Sequence, residues 1–405
     1  MSKVLTCLDI GSANIKGVVT ERGKDGAVTC ISAFKHPSQG FRKGVLVDAE
    51  DAREALGELI EEIRQVSKDA VKNVFVNIQS EHVKVRVSRG ISAVSQPDKE
   101  IKQEDVDRAV QSSRAAKMLP NYKVLHTIVR EFLVDDVGDI QDPVGMTGSR
   151  LEVSTLLVEA FAPHFDLLGR ILQDAGADIS GIVYNPFAAS RAVLSKKQKE
   201  LGVLMIDIGA GTTSFIAFEE MKPLFAKTIG VGGGHITNDI AVGLKVPVDI
   251  AERIKLKYGT ALARKINRKE VIELREFDSS LREEVSKRFV GEIIEVRVAE
   301  IIDILNNELE SVRERFEFPG GVVVTGGGVR LDGVPELIRE KMGLPTQVGM
   351  PNISRLEIPN PTHEKLIDDP EFATALGLMY VGNSETPNRK NPVRMAKDFI
   401  RNLIP

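Results

Sequence analysis

The chain has little of what would place it in several broad classes. Its 405 residues include only two cysteines, Cys7 and Cys30, so no disulfide framework and no structural zinc pattern is available, and both are expected to be reduced residues in or near core strands. The histidines, His36, His82, His126, His164, His235 and His363, are scattered without metal-site spacing. No segment approaches the roughly 20 uninterrupted apolar residues of a transmembrane helix. Asp9 interrupts the first apolar run too early for a signal peptide, which makes a cytoplasmic protein the default expectation. A net charge of -4 and a pI ≈ 6.0 argue against nucleic acid as the main partner, although basic residues collect at the C-terminus. Apolar residues, at 42%, can fill large cores, and the length favours two lobes with subdomains over one simple core.

What is present is a repeated pattern. VLTCLDIGSANIKGVV (4–19) and GVLMIDIGAGTTSFIA (202–217) each read as a buried strand that ends on an Asp, crosses a Gly/Ser/Thr-rich turn and leaves as a second strand. A third apolar strand runs into the glycines of VVVTGGG (322–328). The duplication suggests two homologous halves facing one another around a phosphorylated ligand. In the first loop Gly11 allows close backbone approach, Ser12 and Asn14 offer donors, and Lys16 brings an ammonium from the second strand. Asp9 suits hydrated Mg2+ held through water. The second loop, with Gly209, Gly211, Thr212 and Thr213, has Ser214 where the first has Lys16, so one lobe would supply charge and the other hydroxyls and amides. Asp and Gly after a strand are also ordinary hairpin chemistry, and the repeat together with Gly326, Gly327 and Gly328 is what raises the set above that reading. Gly232, Gly233 and Gly234 precede a helix and form a candidate anion site, or simply a tight turn. His235 reads as a capping or packing residue.

Along the chain, three strands, a helix over 48–70 with acidic residues at its start, and a returning strand repeat the order of a sheet covered by helices. The texture changes over 83–161, where two or three strands and one helix make a compact insert. A helix over 165–175, a strand over 178–184 and a helix over 185–194 opened by Pro186 follow. The second half has three strands from Leu201, a helix, a small helical insert with one strand, a long helix over 286–316, the TGGG strand and a last buried helix over 371–381. Residues 384–392 read as a polar linker.

These loops, with NPFAAS (185–190), IGVGGGHITNDIA (229–241), AERIKLKYG (251–259), PGGVVVTGGGVRLDGVPEL (319–337) and DDPEFATALGL (368–378), resemble in order and over nearly the whole chain the bacterial FtsA cell-division family of the actin/sugar-kinase/heat-shock-70 ATPase superfamily. The resemblance implies an α/β, actin-like two-lobed ATPase fold with duplicated mixed-sheet domains and an inserted 1C-type subdomain in place of 1B. The divisions it implies are 1A over 1–82 and 162–200, 1C over 83–161, 2A over 201–245 and 290–382, and 2B over 246–289. It implies ATP and Mg2+ as ligands, with Asp9 and Asp207 toward the metal, Asp207 orienting water, and Glu252 and Lys255 reaching ribose and adenine beside Gly327 and Gly328. From spacing alone, Glu252 and Lys255 are a solvated pair one helical turn apart. No base is identified by the sequence, so slow hydrolysis at most is expected. The implied partners are further copies of itself in a filament, other division proteins, and the C-terminal peptide of the tubulin-like FtsZ, for which Arg288 and Arg297 are the candidate contacts. A cytosolic sugar- or acetate-type kinase is the enzyme alternative, and an actin-like pilus-assembly protein is a further one.

The end of the chain carries an independent signal. At helical spacing, residues 393–405, after a linker over 383–392, put Phe399, Ile400, Leu403 and Ile404 on one arc and Arg394, Lys397 and Arg401 on the other. A short basic amphipathic helix suits anionic inner-membrane lipids on the cytoplasmic face. The competing reading is a helix docked on the body.

Overall fold

The computed structural model describes residues 3–94, 99–115, 119–313 and 316–384. The linker beyond Ser384 and the amphipathic tail, with Arg394, Lys397, Phe399, Ile400, Arg401, Leu403 and Ile404, lie outside the described residues.

The first lobe opens with β1 (Lys3–Ile10), β2 (Asn14–Arg22) and β3 (Val28–Pro37), then a tight hairpin of β4 (Phe41–Arg42) and β5 (Val45–Leu46), helix α1 (Ala49–Val66) and β6 (Val74–Ile78). β1 is buried along six consecutive residues, the texture of a strand covered on both faces. Asp48 caps α1 by accepting from the amides of Glu50 and Asp51, which satisfies two of the donors that a helix start leaves open. The apolar side of α1, with Leu56, Ile60 and Ile63, packs on Leu8, Ile15 and Val19.

An insert follows: β7 (Lys84–Ala93), α2 (Gln103–Ala115), β8 (Tyr122–Val134), β9 (Val137–Ile140) and β10 (Arg150–Phe161). Its sheet runs β7-β10-β8-β9, and it has a core of its own in which Val106 and Val110 meet Phe132, Leu151 and Val153. The chain then returns through α3 (Ala162–Asp174), β11 (Ile179–Tyr184) and α4 (Asn185–Val193).

The second lobe contains α5 (Lys196–Leu201), β12 (Val203–Ile208), β13 (Thr213–Glu219), β14 (Lys222–Ile229), α6 (Gly233–Leu244) and α7 (Val248–Tyr258). It continues with β15 (Val271–Glu273), β16 (Glu284–Ser286), the long α8 (Lys287–Arg313), β17 (Val322–Thr325), α9 (Val334–Met342) and β18 (Thr346–Val348). Finally β19 (Leu356–Glu357) joins the first lobe's sheet, before α10 (Pro361–Ile367) and α11 (Ala373–Ser384). Sequence patterning anticipates one strand in the insert after α7, whereas Val271–Glu273 pairs with Glu284–Ser286. The second strand escapes because its only apolar residue is Val285, too little for an alternation signal.

The two sheets are copies. The first runs β11-β6-β1-β2-β3-β19 and the second β14-β13-β12-β17-β18. In both, the three consecutive strands that open the lobe pair antiparallel (β1-β2-β3 and β12-β13-β14), and the two crossover strands beyond the first of them pair parallel (β6 and β11, β17 and β18). The lobes share a core: Leu5, Cys7 and Val18 of one sheet and Met205, Ile216 and Phe218 of the other cluster with Phe187 and Ala188 of α4 and Leu376 and Met379 of α11. Gly377 sits so close to α4 that a Cβ there would come within 1.8 Å of the Ala188 carbonyl. Cys7 and Cys30 are free and buried.

Candidate functional site

Because β1 and β12 are the equivalent central strands of the two sheets, their C-terminal turns face one cleft. The turns have the same construction: the Gly11 amide donates to the Asn14 carbonyl at 3.1 Å and the Gly209 amide to the Thr212 carbonyl at 2.9 Å. Strand register pairs Asp9 with Lys16 in one and Asp207 with Ser214 in the other. Among the described residues, the amides of Ser12, Ala13, Ala210 and Gly211 have no backbone acceptor, and all four residues line a cavity of about 1030 Å³ between the lobes. Paired loops with open amides are a built anion cradle.

The two Asp side chains are joined by a buried amide bridge that sequence reading missed. Asn77 Nδ2 donates to Asp9 Oδ1 at 2.6 Å and to Asn185 Oδ1 at 2.9 Å, and Asn185 Nδ2 donates to Asp207 Oδ2 at 2.7 Å. Asn77 Oδ1 accepts the Ile10 amide at 2.7 Å, which holds the strand end. The one available signal was a polar residue inside the otherwise apolar β6, VFVNI. Asp9 also meets Lys16 Nζ at 2.8 Å. Burial, then the nearby Asp9 charge, push Asp207 up to about 6, against the pull of Lys16, Asn185 and Thr374. Burial works against the Lys16 ammonium, but Asp9 and Glu371 more than offset it and hold its pKa above the usual value. Glu371, itself beside Lys35 at 2.7 Å, is held below the usual carboxylate range: Lys16, then Lys35, outweigh its burial.

The remaining sequence candidates divide. Gly11, Ser12, Asn14, Lys16, Gly209, Gly211, Thr212, Gly233, Gly234, Glu252, Lys255, Gly326, Gly327 and Gly328 all line the cavity with Asp9 and Asp207. Thr213 and Gly232 are not among the cavity-lining residues. The Thr213 hydroxyl donates to the Val231 carbonyl at 2.8 Å, and a Cβ on Gly232 would come within 2.5 Å of the Gly209 carbonyl. The α6 N-terminus is not an open anion site either. The Gly233 and Gly234 amides donate to the carbonyls of Gly209 and Ala210 at 2.9 and 2.7 Å, so those glycines dock the helix on the turn after β12. His235 caps this turn, its Nδ1 accepting the Gly232 amide at 3.2 Å.

Lys255 Nζ reaches Glu252 at 2.7 Å, Thr237 Oγ1 at 2.8 Å and the Gly233 carbonyl at 3.1 Å. The pair therefore ties α7 to α6 at the cavity wall instead of standing in solvent. Gly326 and Gly328 are required by packing: added Cβ atoms would lie 2.1 Å from Asp207 Oδ1 and 2.4 Å from Ile208 Cγ2. Gly327 has room, its nearest neighbour being Glu371 at 3.6 Å. Arg288 and Arg297 lie on α8, away from the cavity lining. Arg288 Nε meets Glu292 at 3.1 Å, and Arg297 holds Asp239 with two bonds of 2.5 and 2.9 Å as well as Glu300 at 2.5 Å.

Comparison with known proteins decides the family. The family model described as Cell division protein FtsA matches residues 204–377, and that of the SHS2 domain inserted in FtsA matches residues 80–159. The cell division protein FtsA of Borreliella burgdorferi is 31% identical over 373 residues, 92% of this chain and 89% of that protein. The chain belongs to the FtsA family. FtsA of Pseudomonas aeruginosa is 29% identical over 94% of this chain and 89% of its own length. Two solved structures share the FtsA-like fold at lower identity. The type IV pilus biogenesis complex PilM-PilN has a TM-score of 0.68 at 19% identity, covering 94% of this chain and 99% of that one. MreB5 of Spiroplasma citri bound to ADP has a TM-score of 0.53 at 14% identity, covering 93% and 95%. The actin-like architecture with an SHS2-type insert is thereby established, and the kinase and pilus readings give way to a cell-division protein. Among the described residues, no helix is long and apolar enough to cross a membrane.

Proposed function

We propose that the cleft binds ATP with Mg2+ and that the nucleotide-loaded chain works as a membrane-attached scaffold for FtsZ. The observation that carries the nucleotide reading is the pair of matched loops, Gly11 to Asn14 and Gly209 to Thr212, with open amides facing one cavity. The open amides with Ser12 and Thr212 would hold phosphate oxygens, and Asp9 and Asp207 would hold Mg2+ through water. Bound Mg2+ would neutralise phosphate charge. Gly327, open toward the cavity, leaves space for the base, with Glu252 and Lys255 at the wall. Asn185 and Asp207, hydrogen-bonded to each other at the cavity wall, are the polar groups proposed to orient a water.

The scaffold reading rests on family membership. Self-association into filaments, FtsZ peptide binding around Arg288 and Arg297, and attachment of residues 393–405 to anionic lipid on the cytoplasmic face of the inner membrane are its parts, together with other division proteins as partners. Arg297 is already engaged by Asp239 and Glu300, so an acidic peptide would have to displace those carboxylates, and Arg288 is the more available cation. Titration calorimetry of the full chain with Mg-ATP tests the cleft. Saturable binding is expected, lost when Lys16→Ala is combined with Gly327→Val, a substitution that enters the cavity and leaves the Ile208 packing alone. Absence of ATP binding by the unmutated chain would refute the assignment.

A further inference from the structure

The hairpin between β3 and α1 is placed where Ser12 of the first loop meets Gly211 of the second, and none of the sequence motifs includes it. Its turn is Lys43-Gly44, with both residues in the left-handed region at φ 51° and 71°. Two left-handed residues between paired strands are the mirror-image turn that favours Asn, Asp or Gly, and lysine is a poor choice for the first position on conformational grounds. The turn is pinned from three sides. The Gly44 amide donates to Ser12 Oγ at 3.0 Å, and a Cβ on Gly44 would fall 1.6 Å from the Gln79 carbonyl oxygen. From the opposite lobe, a Cβ on Gly211 would lie 2.5 Å from Ser12 Oγ and 3.0 Å from the Lys43 Cα. Lys43 thus stands at the seam between the first loop and the second.

Charge separates Lys43 from its neighbours. Five lysines line the cavity: Lys16, Lys35, Lys43, Lys255 and Lys257. Four of them are paired, with Asp9, Glu371, Glu252 and Glu276 respectively. Lys43 alone among these has no carboxylate within ion-pair distance among the described residues, and its charge is felt at His235, whose pKa is lowered by burial and then by Lys43. A half-buried ammonium with no carboxylate partner on a cavity wall calls for an anion.

We propose that Lys43 is a specificity-determining residue that contacts the terminal phosphate of a bound nucleoside triphosphate, so that the cleft distinguishes a triphosphate from a diphosphate. The inference rests on the nucleotide reading above and adds to it which phosphate is sensed and by what. A diphosphate is held by the open amides of the two loops. A third phosphate reaching the seam would meet Ser12 and Lys43, the cavity lysine that has no carboxylate partner among the described residues. Since Ser12 also accepts the Gly44 amide, the same hydroxyl joins the ligand end of the site to the hairpin.

The test is calorimetry with Mg-ATP and Mg-ADP on the full chain and on Lys43→Gly, Lys43→Met and Lys43→Arg. Glycine suits the left-handed turn, so Lys43→Gly removes the charge without straining the backbone, and its thermal midpoint without nucleotide is expected at or above that of the parent. Loss of a charge-assisted contact should weaken ATP by about tenfold in the Gly and Met variants, with ADP changed by less than about twofold, and Lys43→Arg should keep the ATP preference. Equal weakening of ATP and ADP in Lys43→Gly, or no change in either, would overturn the proposal while leaving the cleft a nucleotide site. Failure of the parent to bind either nucleotide would remove the cleft assignment itself and this inference with it.

Discussion

Replacing Asp207 by Asn should stabilise the ligand-free protein, and by an amount that depends on pH. The Asp207 carboxyl titrates at about 6 in the folded chain against an ordinary aspartate value of 3.8, because burial and the Asp9 charge disfavour its ionised form. A carboxyl whose folded pKa is raised keeps its proton in the native state where the unfolded chain has already lost it. Its favourable contribution is therefore complete below pH 3.8 and is lost as pH rises through about 6. Above that range the native state carries the full cost of a buried charge, about 3 kcal/mol at 1.36 kcal/mol per unit. Asn has no such cost and its amide oxygen still accepts from Asn185 Nδ2. The gain of Asp207→Asn should be about 3 kcal/mol near pH 8 and roughly half that near pH 5, where the native carboxyl is mostly protonated. Urea unfolding of both proteins at the two pH values, with nucleotide and divalent metal removed, measures the difference at constant m-value. No gain near pH 8, or a gain independent of pH, would refute the argument. With Mg-ATP present the order should reverse, because the charge that destabilises the empty site is the one that faces the metal, a trade between stability and function.

Two further outcomes follow from other parts of the molecule. Asn77→Ala removes the acceptor of the Ile10 amide and the donor shared by Asp9 and Asn185, and should cost about 2–3 kcal/mol in urea unfolding while weakening Mg-ATP binding, since it leaves buried polar groups unpaired; a cost below about 0.5 kcal/mol would show that the bridge is not a structural one. Deletion of residues 393–405, or Phe399→Glu, should reduce co-sedimentation with anionic vesicles and leave calorimetric ATP binding intact, with high salt reducing binding of the intact chain; equal sedimentation of intact and truncated proteins would reject the tether.

The duplicated lobes were legible because their signals are local. An apolar run that ends on Asp and turns through Gly and Ser or Thr announces β1 with its loop, and the second occurrence announces β12, so the matched strand orders of the two sheets follow from one pattern read twice. What escaped is made of contacts between distant segments. Asn77 and Asp9 belong to neighbouring strands separated in sequence by β2, β3, the β4–β5 hairpin and α1, and Asn185 comes from the far side of the SHS2-type insert; no spacing links the three. The same limit explains the glycines before α6. A glycine run ahead of a helix reads as open amides, yet the amides of Gly233 and Gly234 are taken by carbonyls of the loop around Gly209, a contact visible only once β12 and α6 are folded together. Lys43 was passed over for the opposite reason. Its sequence context, FRKGV, is an ordinary hairpin turn, and the lysine gains meaning only from the four cavity lysines that already have carboxylate partners. In a cleft assembled from two copies of one motif, the residues that differ between the copies are the easy ones to find; those that join the copies have no counterpart to be compared with, so Asn185 stands out only as the polar residue opening a helix whose first turn is otherwise apolar, Asn77 only as a polar residue interrupting a buried strand, and Lys43 not at all.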